Sequence, residues 1–331
     1  MTAEGIPVGR HLREGNAWVF GWPGTGLDLR FRGKGLRADF SGSNAWIDVT
    51  ANGTTHVLEL RPTNNVVDLV PSDTIQDWTV SVRKRTEGSV GELVIRDLDV
   101  VDGAWLDPIP SRSDRLRMEF LGDSITCAYG CLEPDPTKGF DPSTEDFGKS
   151  WATVAASALE ADLHAQAWSG IGVVRNWPGV EMPPLPSFWT RAVPTREAVW
   201  DLDRWMPDLV VVNLCSNDYG VPPFLPDHEF VEGYVRWMRE VRVHRPNAPV
   251  VVVDGPLLKD DHPLPGTLTL VRTLLDQVAE TMGGAAAGFH RLSLTTVGGP
   301  LDLGADYHPS EAHQRRIGLE LVAFLKRQGL S

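Results

Sequence analysis

Cysteine is scarce in this chain. Its 331 residues hold three, Cys127, Cys131 and Cys215. An odd, small count is not a disulfide framework. Cys127 and Cys131 could share one helix face, but two thiols without further ligands make a poor zinc site. All three are expected as packed or semi-buried thiols, because free cysteine behaves as a small hydrophobe. No apolar run approaches the ~18 residues of a membrane-spanning helix. The opening residues, MTAEGIPVGRHLREGN, lack the apolar core of a signal peptide. The sequence as it stands therefore reads as cytoplasmic, or as secreted if a leader has been removed. Positive charge is short as well: 31 Lys and Arg face 44 Asp and Glu, a formal net charge of −13. With no Lys/Arg-rich run, this argues against nucleic acid or anionic membrane as the main partner, since both need a positive surface. A neutral substrate suits the balance. His228, His244, His262, His290 and His313 show no metal-ligand spacing. No metal or organic cofactor is expected.

Helical periodicity is missing from the first hundred or so residues, which read as strands. Leu27–Arg32 and Leu36–Phe40 alternate apolar and polar residues, the pattern of a half-buried strand. Further strand-like runs are Trp46–Thr50, Val57–Leu60, Val66–Val70, Trp78–Arg83 and Leu93–Val101, separated by Gly, Asn, Pro and Asp. About seven or eight short strands at this spacing predict a β-sandwich of jelly-roll type. Trp18, Trp22, Trp46, Trp78 and Trp105 lie in this half or its flank, and are expected mainly to fill its core. The Pro- and Ser-containing stretch from Gly103 to Arg117 places a domain boundary near residue 112, giving a β domain over 1–112 and a second domain over 113–331.

The second half changes rhythm. Strands are predicted at Met118–Leu121, Leu163–Trp168, Leu209–Leu214, Val250–Val253 and Gly288–Leu292. Helices are predicted at Trp151–Ala161, Thr195–Met206, Asp227–His244, Leu268–Met282 and Pro309–Arg327. Alternating strand and helix mean an α/β domain with a parallel sheet, and such sheets bind ligands beyond the carboxyl ends of their strands. Ser124, Ser169–Gly170, Asn217 and His308 all follow predicted strands or lie in the final loop, so they are expected on one edge.

Acyl transfer by serine needs a nucleophile, a base, a group that orients the base, and donors for the oxyanion. Ser124, in Gly122–Asp123–Ser124–Ile125, suits the first role. His308, in Asp306–Tyr307–His308–Pro309, suits the second, and Asp306 the third. Donors could come from the backbone N–H groups of Ser124 and Gly170 and the side chain of Asn217. Blander readings stand beside these: Ser124 as a helix N-cap, Asn217–Asp218 as a simple turn, His308 as a loop-packing residue. Asp123 is read as pairing structurally at the turn.

These blocks, in order, resemble the SGNH (GDSL-type) hydrolase superfamily. Gly122–Ile125, Ser169–Gly170, Asn217–Asp218 and His308–Pro309 match its motifs across residues 118–310. With a β-rich front half, and with Trp168–Gly172 and Asp306–Ser310 as written, the chain is more closely similar to carbohydrate esterase family two. That resemblance implies a flavodoxin-like SGNH domain behind a jelly roll. It implies a serine esterase that removes a small O-acyl group, acetyl, from a sugar or oligosaccharide through an acyl-enzyme. It also implies an aromatic sugar-site residue at Tyr307, and Trp177 is a second candidate lining residue. Two positions depart from the superfamily pattern. Cys215 stands where glycine is usual, predicting a slightly displaced strand end, and Ala305 stands where an aspartate is usual. In the resembled family the orienting group is either an aspartate two residues before the histidine or a backbone carbonyl. The alternatives are an acyltransferase or deacylase acting on a small metabolite, and a weakly catalytic carbohydrate-binding protein with a degenerate site. The oligomeric state is not legible.

Overall fold

A computed structural model describes residues 5–63, 66–108 and 114–331. They form two compact units, one of Met1–Asp114 with Arg191–Trp200, the other of Arg115–Thr190 with Asp201–Ser331. The boundary expected near residue 112 lies outside the described residues.

In the first unit the strands follow in chain order: β1 (Ile6–Val8), β2 (Leu12–Glu14), β3 (Ala17–Phe20), β4 (Gly26–Asp39), β5 (Ala45–Ala51), β6 (Thr54–Leu60), β7 (Val66–Lys84), β8 (Leu93–Ile95), β9 (Asp97–Val101) and β10 (Ala104–Trp105). One antiparallel sheet has the order β1-β4-β7-β5-β6, with β9 and β10 also on β4; the other is β2-β3-β8. Inward residues of both sheets share one core, with Phe20, Leu93 and Ile95 from the small sheet and Leu29, Phe31, Ile47 and Val82 from the large one. This is the sandwich that period-two alternation requires. Two pairs of expected strands prove to be single long strands. Leu27–Arg32 and Leu36–Phe40 fall largely on β4, which continues through a register shift between Gly33 and Gly35. A Cβ on Gly35 would lie 2.4 Å from the Val70 carbonyl oxygen, so glycine lets β4 and β7 stay paired there. Likewise Val66–Val70 and Trp78–Arg83 both lie on β7. Conversely, the run Leu93–Val101 divides at Arg96 between the two sheets. Trp22 is fully buried, whereas Trp18, Trp78 and Trp105 are half-buried against the core. Trp46 is half-buried too.

The helix expected over Thr195–Met206 is absent. Residues 191–200 are irregular, with Arg191 bridged to Val199 and the Ala192 N–H donating to the Ala198 carbonyl at 2.9 Å. Only Leu202–Arg204 makes a single 3-10 turn. Val193 is buried with Ala17, Val19 and Val94, and Arg196 binds Glu92 through two nitrogens, each at 2.8 Å. These tertiary bonds outweigh a weak local preference for helix.

The second unit is built on the parallel strands β11 (Arg117–Gly122), β12 (Asp162–Ala167), β13 (Leu209–Asn213), β14 (Val250–Val253) and β15 (Phe289–Leu292), in the order β12-β11-β13-β14-β15. This is the flavodoxin-like strand order. Its helices are α1 (Ser124–Cys127), α2 (Trp151–Ala158), α3 (Ser216–Tyr219), α4 (Asp227–His244), α5 (Thr267–Thr281) and α6 (Glu311–Gln328). Met118, Phe120, Val211 and Val251 share a core with Trp151 and Ala155 of α2 and with Ile317, Leu321 and Leu325 of α6. Strand alternation turns Glu119 to the other face, where Arg245, just past α4, binds it at 2.7 and 3.0 Å. All three cysteines are buried, and burial pushes the Cys131 thiol up to about 12. Among the described residues, no helix is long and apolar enough to cross a membrane.

Candidate active site

Strand β11 ends at Gly122, where a Cβ would lie 2.1 Å from Thr126 Oγ1. Glycine thus lets the chain turn straight into α1. Asp123 caps that turn, its Oδ1 accepting the Ile125 N–H at 3.0 Å, which is the structural role read for it. Because Asp123 is the cap, the Ser124 hydroxyl is left for other partners. Gln314 of α6 fastens the turn from behind. Its Nε2 donates to the Ile125 carbonyl and its Oε1 accepts the Trp151 N–H, both at 2.9 Å.

His308 meets Ser124 across 184 residues of sequence, with Nε2 2.9 Å from Oγ. Its Nδ1 lies 3.2 Å from the backbone carbonyl of Asp306. A carbonyl only accepts, so Nδ1 carries the ring proton and Nε2 presents its lone pair to the Ser124 hydroxyl. Burial pulls His308 down to about 4, against the Asp306 carbonyl, which favours the protonated ring. The loop that carries His308 is tied to the chain that follows α1. The Ala305 N–H donates to the Gly130 carbonyl, and the Glu311 N–H to the Cys131 carbonyl, both at 3.0 Å. A Cβ on Gly130 would lie 2.4 Å from that of Ala305, so these two small residues allow the close approach. Ala305 is fully buried, and that packing leaves no room at its position for the aspartate of the superfamily pattern.

The Asp306 carboxylate does not take the place the sequence suggests. Its Oδ2 accepts the Tyr129 hydroxyl at 2.7 Å, and only its carbonyl addresses the imidazole. The reason is conformational: Asp306 has φ 48° and ψ 36°, a left-handed turn that brings its own carbonyl to Nδ1.

For the oxyanion, the Ser124 and Gly170 N–H groups have no acceptor among the described residues. Gly170 has φ +78°, and the Trp177 N–H donates to its carbonyl at 2.7 Å. Asn217 is more committed. Its Nδ2 donates to the Ile171 carbonyl at 2.7 Å and to Asp123 Oδ2 at 3.3 Å. Cys215, in place of glycine, has φ 175°. That is extended backbone open to any residue, so glycine's freedom is not needed there. Asp218 is fully buried and its carboxylate accepts the N–H groups of Val173, Val174 and Arg175 at 3.0, 2.8 and 2.9 Å. Burial pushes this carboxyl up to about 6, opposed by those three donors.

Ser124, Gly170, Asn217 and His308 with the Asp306 backbone thus come from four separate segments at the carboxyl edge of the sheet. Trp177 and Tyr307 are 46% and 57% exposed, more than packed loop aromatics. Tyr129, Gln314 and the carboxylate of Asp218 support the site, although the sequence reading assigns none of the three a role there. Tyr129 and Asp218 stand inside or beside the motif blocks, where they could have been noticed; Gln314 has no local signal at all.

Known families match both halves of the chain. Residues 120–316 match the GDSL-like Lipase/Acylhydrolase family, and residues 8–110 match the Carbohydrate esterase 2 N-terminal family. The chain is 32% identical over 247 residues to the cellulase/esterase CelE of Acetivibrio thermocellus, an alignment covering 74% of this chain and 29% of that protein. The chain therefore spans under a third of that relative's length. It is 28% identical over 260 residues to an acetylxylan esterase/glucomannan deacetylase of Cellvibrio japonicus, covering 76% of this chain and 71% of that protein. A solved structure of a family two carbohydrate esterase from Clostridium thermocellum, in complex with cellohexaose, superposes with a TM-score of 0.90 at 28% identity, covering 98% of this chain and 99% of that one. With more than half of its length matched, the chain belongs to the GDSL-like lipase/acylhydrolase family, and its front region is similar to the N-terminal region of family two carbohydrate esterases.

Proposed function

We propose that this protein is a serine esterase that removes acetyl groups from an acetylated carbohydrate. The observation that carries the reading is the 2.9 Å approach of His308 Nε2 to Ser124 Oγ, with Nδ1 held by a carbonyl. Ser124 Oγ attacks the ester carbonyl while His308 Nε2 takes its proton. The oxyanion is met by the N–H groups of Ser124 and Gly170. Asn217 joins them by exchanging its longer bond, the 3.3 Å one to Asp123. His308 then returns the proton to the leaving sugar hydroxyl, and water, deprotonated by the same imidazole, releases acetate from Ser124. Tyr307 and Trp177 offer exposed ring faces for a pyranose. A formal charge of −13 favours a neutral carbohydrate over a polyanion.

Acetylated xylan and glucomannan are the substrates to try, since relatives are named for them. Acetate release by the wild type should fall by on the order of 10⁴-fold or more in Ser124→Ala. A folded wild type that releases no acetate from either polymer, or a Ser124→Ala variant of undiminished rate, would sink the reading.

A further inference from the structure

Asp306 and Tyr307 are consecutive non-glycine residues at positive φ, 48° and 60°. Left-handed backbone is unfavourable for side chains with a Cβ, so this pair must be held from outside. Two backbone bonds contribute, from the Asp306 N–H to the Lys138 carbonyl at 2.9 Å and from the Tyr307 N–H to the Pro136 carbonyl at 3.2 Å. The third restraint is Tyr129, whose hydroxyl donates to Asp306 Oδ2 at 2.7 Å. The ring of the same Tyr129 lies 4.3 Å from the His308 ring, tilted by 35°, and is backed by Phe140 at 4.3 Å. One residue therefore touches both partners: its ring limits the imidazole and its hydroxyl engages the carboxylate.

A carboxylate is a stronger acceptor for an imidazole N–H than a neutral carbonyl. Left free two residues from His308, the Asp306 carboxylate would compete for Nδ1. We propose that the Tyr129–Asp306 hydrogen bond is a latch that keeps the carboxylate off His308 and leaves the backbone carbonyl as its partner, which makes Tyr129 a positioning residue. The proposal rests on reading Ser124 and His308 as nucleophile and base. Asp306 is the charged side chain whose field acts on the His308 ring. Tyr129 lays its ring against it, Ser124 presents its hydroxyl to Nε2, and Lys138, whose carbonyl accepts the Asp306 N–H, turns its ammonium to Glu133 at 3.3 Å.

The test is the acid limb of kcat/KM for acetyl-ester hydrolysis. Tyr129→Phe keeps the ring and frees the carboxylate, which then moves to Nδ1. A negative charge at that distance favours the protonated imidazole, so the limb should move up by about one pH unit. In Tyr129→Phe/Asp306→Asn the charge is gone, and the limb should fall back to the wild-type position or below it, since the Asp306 charge already acts on the ring in the wild type. A Tyr129→Phe limb that does not move, or a double variant that keeps the upward shift, overturns the latch. Should Tyr129→Phe fail to fold, the wild type still decides by proton NMR of the protonated His308 Nδ1–H. A resonance typical of a neutral acceptor supports the latch, and a far-downfield resonance typical of a carboxylate partner overturns it. Ser124→Ala in the same assay separates the two failures. If it remains active, the esterase reading of the site fails; if it is inactive while the Tyr129→Phe limb stays put, only the latch fails.

Discussion

Arg175 and Asp218 hold one another's backbone. The Asp218 carboxylate gathers the N–H groups of Val173, Val174 and Arg175, and the Arg175 guanidinium donates back to the Asp218 carbonyl at 2.5 Å and the Val221 carbonyl at 2.9 Å. This clasp joins the loop after Gly170 to the helix that carries Asn217. Asp218→Ala would leave three N–H groups without their acceptor, at about 1–3 kcal/mol each where burial is complete. We expect a clear drop in Tm and a lower kcat at temperatures where the variant is folded. Asp218→Asn, which keeps one acceptor oxygen, should fall between. Thermal denaturation with parallel kinetics checks this; an unchanged kcat in folded Asp218→Ala would remove the clasp from oxyanion positioning.

In the proposed mechanism His308 is the base, a role open to an imidazole only when it is neutral. Its environment, burial first, holds it at about 4, below the ordinary 6.5. The acid limb of kcat/KM should therefore lie well below pH 6.5, the ordinary value. The same depression has a stability consequence. The unfolded chain binds a proton near pH 6.5 that the folded chain refuses until about pH 4, so this histidine's contribution erodes as pH falls through that window. A pH–rate profile with its acid limb at or above 6.5 would contradict the burial argument.

Gly170 has φ +78°, and a Cβ there would lie 2.5 Å from Val180 Cγ2. Gly170→Ala is expected to lose about 1–2 kcal/mol from the left-handed backbone alone. If its N–H is an oxyanion donor, kcat should also fall by about 10²–10³ with a much smaller change in KM. Chemical denaturation and steady-state kinetics read the two effects separately. Lost stability with an intact kcat would assign Gly170 to the turn only.

Beneath the site, Arg245 and Glu119 form a two-armed ion pair at 1% and 0% exposure. Glu119→Ala strands a buried guanidinium, and breaking such a pair typically costs about 3–5 kcal/mol. Urea denaturation should show that loss, whereas replacing both residues by apolar ones should restore much of it. A loss under about 1 kcal/mol in Glu119→Ala would mean that water reaches Arg245.

Much of this architecture is legible in the chain because it is local. Asp227–His244 and Val250–Val253 appear in the structure with the bounds their periodicity predicts. A continuous run of valines between turn residues has few options other than a buried parallel strand. Thr195–Met206 shows the limit. Its helical composition is weak, and the bonds that decide its shape come from Glu92, far away in sequence. The partner of His308 is another such case. Asp306 is visible as a candidate, but whether its carboxylate or its carbonyl faces Nδ1 depends on a φ of 48° and on Tyr129, 177 residues earlier.

By itself, the sequence determined the class of fold, the order of the motif blocks and the identity of the residues at the strand ends. These follow from periodicity and turn chemistry, which act over a few residues. Only the tertiary structure decided which atoms meet: Ser124 Oγ with His308 Nε2, the Asp306 carbonyl with Nδ1, the Asp306 carboxylate with Tyr129. Hydrogen bonds are selective to a few tenths of an ångström and to the direction of a lone pair. That selectivity is set by backbone dihedrals and packing between distant segments, and no local pattern of residues encodes it.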